Sequence, residues 1–162
     1  MNKTITPSKL YKLNLAAGFL HLVQAIVVLV VSKSFTIPVS ANFLAFDDST
    51  QTLQPASTSI FGLSLPLLIA SFFFLSAFFH FFIATVYRKK YESDLKLGIN
   101  RARWIEYSLS ASIMMVAIST LVGVYDFSSL LMIFALTSVM NLMGLVMEVH
   151  NQTNKKNRLA EL

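Results

Sequence analysis

The sequence predicts an all-α integral membrane protein with four transmembrane helices, and three observations lead to that fold class. Of the 162 residues, 55% are hydrophobic and only 13% are charged, whereas soluble domains carry about 25% charged residues. The apolar residues gather into four long blocks, each close to the roughly 17–25 residues that cross a bilayer as a helix. The basic residues lie in short clusters between these blocks. We therefore expect a single membrane domain over residues 1–162.

The four blocks give the expected helices in chain order. The first covers about residues 10–32, where "LNLAAGFLHLVQAIVVLVV" carries no formal charge. The second covers about residues 59–88 and contains Pro66, which is expected to kink it. The third covers about residues 98–125, because no helix breaker follows the glycine of "LKLGINRARW". The fourth, "FSSLLMIFALTSVMNLMGLVM", is expected over about residues 127–149.

The connection between the first two helices, residues 33–58, is unusually long. Within it Phe35, Ile37 and Val39 alternate with polar residues or proline, a pattern typical of a short hairpin strand. A loop of this length usually serves as a cap or as a contact with another subunit. An alternative interpretation makes the first block a signal peptide that is cleaved near residues 39–41, although the block is longer than the usual apolar region of a signal peptide.

The basic residues predict the orientation in the membrane. All but one of the 13 Lys and Arg residues fall on one side of the predicted bundle, and the exception is Lys33 in the first loop. Positive charge favours the cytoplasmic side, so both termini, including a tail over residues 151–162, are expected in the cytoplasm, with the helices in the cell membrane. No cysteine is present, and the three histidines lack metal-ligand spacing. No motif indicates an enzyme, a metal site or nucleic-acid binding.

Polar side chains on three of the helices are expected at one depth. At a rise of 1.5 Å per residue, His21, His80 and Glu106 each lie about 12–14 Å from the basic end of their helices. Gln24 and Ser76 lie about 18 Å from it. The spacing of three or four residues puts His21 with Gln24, and Ser76 with His80, on one helix face. Since exposure to lipid would leave these groups unsatisfied, a shared polar cavity is predicted.

Less specific interpretations of the same residues stay open. Glu106 could pair with Arg103 at the membrane interface, three residues away on the same helix. Trp104 and Tyr107 flank the acid and could form a wall of the cavity. Met114 belongs to a set of methionines that usually serve in packing but also line apolar cofactor pockets.

The string "NRARWIEYSLSASIMMVAISTLVGVYD" resembles the third helix of heliorhodopsins, a family of retinal-binding proteins. The segments "AAGFLHLVQA", "FFLSAFFHFFIATVYRKKY" and "LMIFALTSVMNLMGLVMEVHNQ" are similar to its first, second and fourth helices. The resemblance implies that the chain corresponds to helices one to four of a seven-helix rhodopsin with a cytoplasmic N-terminus. It also implies all-trans retinal as the cofactor and a homodimer with contacts from a β-containing first extracellular loop.

The resemblance assigns roles to individual residues. Glu106 resembles the counterion of the protonated retinal Schiff base, and Ser76 resembles the serine on the Schiff-base side. His21 and His80 resemble the paired histidines of the polar cavity, while Thr137 stands where many members carry asparagine near the chromophore. The full set of expected retinal-site residues is Glu106, Ser76, His80, His21, Gln24, Trp104, Tyr107, Met114 and Thr137.

One difference from the family pattern is large. Heliorhodopsins attach retinal to a lysine in the seventh helix, and none of the nine lysines here lies inside an apolar block. The chain is therefore expected to be a fragment or a natural truncation that cannot attach retinal covalently by itself and requires a partner chain supplying helices five to seven. Two alternatives remain: a non-photoactive membrane protein that relays protons through the cavity, and a structural subunit that binds a partner through the long loop.

Overall fold

The computed structural model describes residues 6–160, so Lys3 and the last two residues of the predicted tail lie outside it. Within the described residues the elements follow the order α1 (Pro7–Val31), β1 (Thr36–Asp47), β2 (Thr52–Ser64), α2 (Leu65–Ala84), α3 (Arg88–Lys96), α4 (Arg101–Leu121) and α5 (Phe127–Ala160). The helices α1, α2, α4 and α5 are long and apolar enough to cross a membrane. α2 packs against α1 and α4, and α4 packs against α5, so the four helices form a row.

The long first loop is a β-hairpin that is larger than the sequence pattern predicts. β1 and β2 pair in antiparallel fashion, with Val39 opposite Phe61 and a shift in register between Val39 and Ser40. At the tip, the Asp47 side chain accepts hydrogen bonds from the backbone N–H and the hydroxyl of Ser49, at 2.9 and 2.7 Å. Residues 39–41, the alternative cleavage site, lie inside β1, and Val39 is fully buried.

The predicted start of the second helix near residue 59 is wrong, because residues 59–64 complete β2. Their apolar composition suits a strand and a membrane helix equally well. α2 begins at Leu65, which places Pro66 in its first turn. A proline there removes no helical hydrogen bond, so the kink expected at Pro66 is wrong as well. α2 ends at Ala84 rather than near residue 88.

The link between α2 and α4 contains α3, a short helix for which the hydropathy pattern gave no signal. Gly98 follows it in a left-handed conformation with φ +72°. The Asn100 side chain then accepts from the backbone N–H of Arg103 at 3.2 Å and caps α4. α4 therefore starts at Arg101, three residues after the predicted position.

α4 ends at Leu121, earlier than the predicted residue 125, and the cause is Gly123. This glycine has φ +95°, and the N–H of Val124 donates to the carbonyl of Ser119 at 2.9 Å while the Gly123 N–H donates to Thr120 at 3.3 Å. This pair of bonds is the Schellman arrangement, which closes a helix on a left-handed glycine.

The turn between α4 and α5 also anchors the hairpin. The Ser40 N–H donates to the Tyr125 carbonyl at 2.9 Å, and Asn42 Nδ2 donates to Asp126 Oδ1 at 3.0 Å. The other carboxylate oxygen of Asp126 accepts from the backbone N–H of Ser129 at 2.8 Å and caps α5. The hairpin end of the bundle, defined by β1, β2 and this turn, lies opposite the basic end, where α1 and α4 begin and α3 lies.

α5 runs on to Ala160, beyond the predicted end at residue 149. Residues 151–160, predicted as a tail, are therefore helical within the described chain. This stretch contains neither glycine nor proline and is rich in good helix formers, so the helix continues after its apolar part ends.

Candidate functional site

A cavity of about 380 Å³ lies between α1, α2, α3 and α4 toward the basic end of the bundle. Its wall combines polar and aromatic side chains from all four helices. The lining residues are Asn14, His21, Phe72, Ser76, His80, Ile83, Tyr91, Asn100, Arg103, Glu106, Tyr107 and Ser110. The cavity therefore brings together five of the predicted site residues from three helices: His21, Ser76, His80, Glu106 and Tyr107.

Helical periodicity explains why each helix presents its polar side chains to this space. On α2, Ser76 and His80 are one turn apart, and on α4 the lining residues recur at spacings of three and four. On α1, Asn14 and His21 are separated by seven residues, which is two turns. Each helix therefore turns one continuous face toward the cavity.

The two histidine rings lie against each other. The centroids of His21 and His80 are 5.5 Å apart, and the ring planes differ by 14°. Phe73 covers His21, with a centroid distance of 6.1 Å. This parallel stack brings the titratable groups of α1 and α2 to the same depth.

Hydrogen bonds to neighbouring amides orient both rings. His80 Nδ1 donates to Asn14 Oδ1 at 3.0 Å, while Asn14 Nδ2 donates to the Leu10 carbonyl at 3.1 Å. His21 Nδ1 donates to Gln24 Oε1 at 2.9 Å. Because an amide oxygen can only accept, Nδ1 is the donor in both of these bonds.

Glu106 is a buried carboxyl group in a cavity that Arg103 also lines. It is 8% exposed and shares the cavity with Ser76 and His21. Among the described residues it makes no ion pair, because Arg103 Nη2 lies 3.4 Å from Glu148 Oε1 instead. The alternative in which Glu106 pairs with Arg103 therefore does not describe this structure.

Trp104 points away from the cavity, in contrast to its expected place in the polar network. Its Nε1 donates to Glu148 Oε2 at 2.6 Å, and its ring packs over Gly144 of α5. The Arg103 guanidinium lies 4.6 Å from the centre of that ring. The expectation for Trp104 is corrected to a contact between α4 and α5.

Three further predicted residues stand outside the cavity lining. Met114 is exposed on α4, and Thr137 lies on α5 with its carbonyl accepting from Asn141 Nδ2 at 2.8 Å. Gln24 reaches the cavity only through its bond to His21. Tyr107 does line the cavity, although its side chain is partly exposed.

Sequence reasoning missed Asn14 and Glu148. Asn14 binds His80 inside the cavity, and its spacing of seven from His21 was the available signal. Glu148 holds three donors at the start of α4: Trp104 Nε1, Arg103 Nη2 and the Asn100 N–H. No motif in the sequence marks it.

Comparison with known proteins gives one finding about the whole chain. The family model described as Heliorhodopsin matches residues 10–161, which include α2, α4, α5, all of α1 except its first three residues, and every residue of the cavity. Among curated proteins none matches the chain.

Proposed function

The chain belongs to the heliorhodopsin family, and on that premise we propose that it forms the counterion part of a light-sensing retinal protein. The family consists of rhodopsin-like, retinal-binding, light-sensing membrane proteins, and the four apolar helices make this chain an integral membrane protein. In the proposed role, Glu106 is the anion that balances the cationic nitrogen of bound retinal.

One observation carries the proposal: a buried acid lies beside two stacked histidines in a cavity. Burying an anion is costly unless a cation or hydrogen-bond donors compensate for it. Glu106 has no ion pair among the described residues, so a cationic ligand group beside it would be the partner that stabilises its ionised form. At about 4 Å and an effective dielectric constant of about 20, such a pair gains about 4 kcal/mol.

Each residue then has a task in this cavity. Bound retinal supplies light absorption and a charged nitrogen whose position changes with isomerisation. Glu106 stabilises that charge, and the Ser76 hydroxyl provides a neutral hydrogen-bonding group next to it. His21 and His80 hold the acceptor nitrogens for a displaced proton, with Asn14 and Gln24 keeping both rings oriented.

The test uses the chain together with a second segment that carries helices five to seven of a heliorhodopsin, since we propose that such a segment supplies the retinal-bearing lysine. Adding all-trans retinal should produce a visible absorption band only when both segments are present. Glu106→Gln should bleach or red-shift the band, because losing about 4 kcal/mol lowers the proton affinity of the retinal nitrogen about a thousandfold.

Glu92→Gln is the matched control, since Glu92 is also a carboxylate near the basic end but pairs with Arg88 at 2.8 Å. It should leave the band in place. If no combination of segments absorbs visible light, the retinal role of this chain is refuted.

We propose in addition that the basic end faces the cytoplasm. The distribution of Lys and Arg supports this orientation. Because the chain has no cysteine, Ser93→Cys in α3 and Ser49→Cys at the hairpin tip each give one labelling site. In intact cells an impermeant maleimide should label only the Ser49 variant, and the opposite pattern would reverse the orientation.

The hairpin supports a proposed homodimer. Phe43, Leu44, Phe46 and Leu53 expose large apolar side chains on β1 and β2, and such surfaces mark interaction sites. Replacing Phe43, Leu44 and Phe46 by serine should convert a dimer in detergent to a monomer, as measured by light scattering. A dimer that survives these changes would place the contact elsewhere.

A second candidate function is proton relay without retinal, and the stacked histidines favour it. Asn14, His80, His21 and Gln24 form a row of polar groups across α1 and α2. This function predicts proton flux into liposomes in the dark without retinal, and loss of that flux in His80→Ala. Equal flux in protein-free liposomes would exclude it.

A further inference from the structure

The short helix α3 lies close to the membrane surface because membrane-spanning helices hold both of its ends. It begins at Arg88, shortly after α2 ends at Ala84, and ends at Lys96, shortly before α4 begins at Arg101. Each connecting segment, from α2 to α3 and from α3 to α4, can extend by at most about 3.5 Å per residue. α3 is therefore kept within about 20 Å of the apolar ends of its neighbours.

Both acidic side chains of α3 accept hydrogen bonds from other residues of the protein. Asp94 is 1% exposed, and its carboxylate accepts from Arg101 Nη1 at 2.6 Å and from the Tyr87 hydroxyl at 3.3 Å. Glu92 accepts from Arg88 Nε at 2.8 Å. Arg88 also lies 4.9 Å from the centre of the Tyr11 ring, which fixes the start of α3 to α1.

The exposed face of α3 carries the lysines. Lys89, Lys90, Ser93 and Lys96 are exposed, and the intervals of three and four residues between them place them on one face of the helix. Lys90 Nζ lies 3.6 Å from Asp94 Oδ1, while among the described residues Lys89 and Lys96 make no ion pair. The lysine face, defined as Lys89, Lys90, Ser93 and Lys96, thus keeps most of its positive charge.

Two apolar side chains flank the lysine face. Val86 precedes α3 and is 80% exposed, and Leu97 follows it and is 56% exposed. Exposed apolar side chains next to lysines are typical of helices that lie in the headgroup region of a bilayer. If Val86 and Leu97 faced water, they would contribute no free energy of apolar burial.

We propose that the lysine face of α3 binds the headgroups of anionic phospholipids in the bilayer that α2 and α4 cross. The contacts of Asp94 with Arg101 and of Glu92 with Arg88 leave Lys89 and Lys96 without an ion pair among the described residues. The links to α2 and α4 keep these lysines within about 20 Å of the apolar ends of the membrane helices, and Val86 and Leu97 expose apolar side chains beside them. Lipid phosphate is the occupant rather than soluble phosphate, because the surface is fixed at the interface.

The test places a probe on the lysine face itself. Since the chain has no cysteine, Ser93→Cys takes a single fluorophore, and the labelled protein is reconstituted into nanodiscs. Quenching by brominated phosphatidylglycerol is compared with quenching by brominated phosphatidylcholine, which gives the relative association constant of the two lipids. A preference of about fivefold for each engaged lysine corresponds to the usual attraction of a lysine to an anionic surface.

The expected result is a clear preference for phosphatidylglycerol that falls in 0.5 M salt, since salt screens such attraction. The triple variant Lys89→Gln, Lys90→Gln, Lys96→Gln should bring the ratio close to one. The matched triple change to arginine should keep the preference, and Lys33→Gln, at the far end of α1, should leave it unchanged. Unaltered Trp104 emission shows that each variant is folded.

Three outcomes would overturn the proposal. The labelled parent could associate equally with both lipids, or the glutamine variant could keep the full preference. Inorganic phosphate at constant ionic strength could also displace phosphatidylglycerol, which would assign the lysine face to a soluble anion.

Discussion

Glu148 joins the middle of α5 to the first turn of α4, and its removal should destabilise the bundle measurably. Its carboxylate accepts from Trp104 Nε1 at 2.6 Å and from the Asn100 N–H at 3.0 Å, while Arg103 Nη2 lies at 3.4 Å. Hydrogen bonds to a charged group contribute about 1.5–3 kcal/mol each. The Arg103 pair is partly exposed on both sides and adds at most about 1 kcal/mol.

Glu148→Ala should therefore lower the free energy of unfolding by about 2–4 kcal/mol, a range reduced because water reaches part of the carboxylate. Trp104 is the only tryptophan of the chain, so its fluorescence reports directly on this contact during an SDS titration in mixed micelles. The emission should also shift to the red, because the indole N–H then bonds to water.

Glu148→Gln is the matched control for this prediction. Its amide oxygen still accepts from Trp104 or Asn100, so we expect a loss of only about 1 kcal/mol. An unfolding free energy of Glu148→Ala within about 0.5 kcal/mol of the wild type, with unchanged emission, would refute the role assigned to Glu148.

Three further predictions concern single positions. Gly144→Ala places a Cβ into the Trp104 ring and should lower the free energy of unfolding by about 1–3 kcal/mol in the same titration. An unchanged free energy of unfolding would mean that α4 and α5 are not closely packed at this position. Gly98→Ala, at φ +72°, should cost about 1 kcal/mol, and Gly98→Asn less because asparagine tolerates this conformation; equal costs would exclude backbone strain as the cause. Hydrogen bonds from the backbone N–H and the hydroxyl of Ser129 hold the pKa of Asp126 below its ordinary value of 3.8. The stabilisation by Asp126 should thus be complete above that pH and disappear as the pH falls through the lowered pKa, so that wild type and Asp126→Ala converge in acid; a constant difference would contradict this.

The helices could be predicted from hydropathy, but most of their ends could not. Long apolar blocks identify membrane spans because a bilayer leaves few alternatives to a helix. Residues 59–64 are apolar in a strand as they would be in a helix, and only pairing with β1 distinguishes the two states. The end of α4 was missed although Gly123 carried a local signal, since glycine after an apolar run is a common helix stop.

The polar cavity was predictable because it depends on spacing within each helix. His21, Ser76, His80 and Glu106 could be assigned to faces and depths from the helical rise alone. Which helix packs against which is a property of the folded bundle. For that reason Trp104 was assigned to the cavity although it contacts α5.

Arg103 links the surroundings of Glu106 on α4 to those of Glu148 on α5. Arg103 precedes Glu106 by one helical turn, a spacing at which the two side chains normally pair. Glu148 lies across from Arg103 on α5 and binds Trp104 and Asn100 together with it, so the guanidinium is held toward α5. Glu106 therefore makes no ion pair among the described residues, although Arg103 lines the same cavity. Whether Glu106 is paired within its own helix thus depends on Glu148, a residue that does not line the cavity.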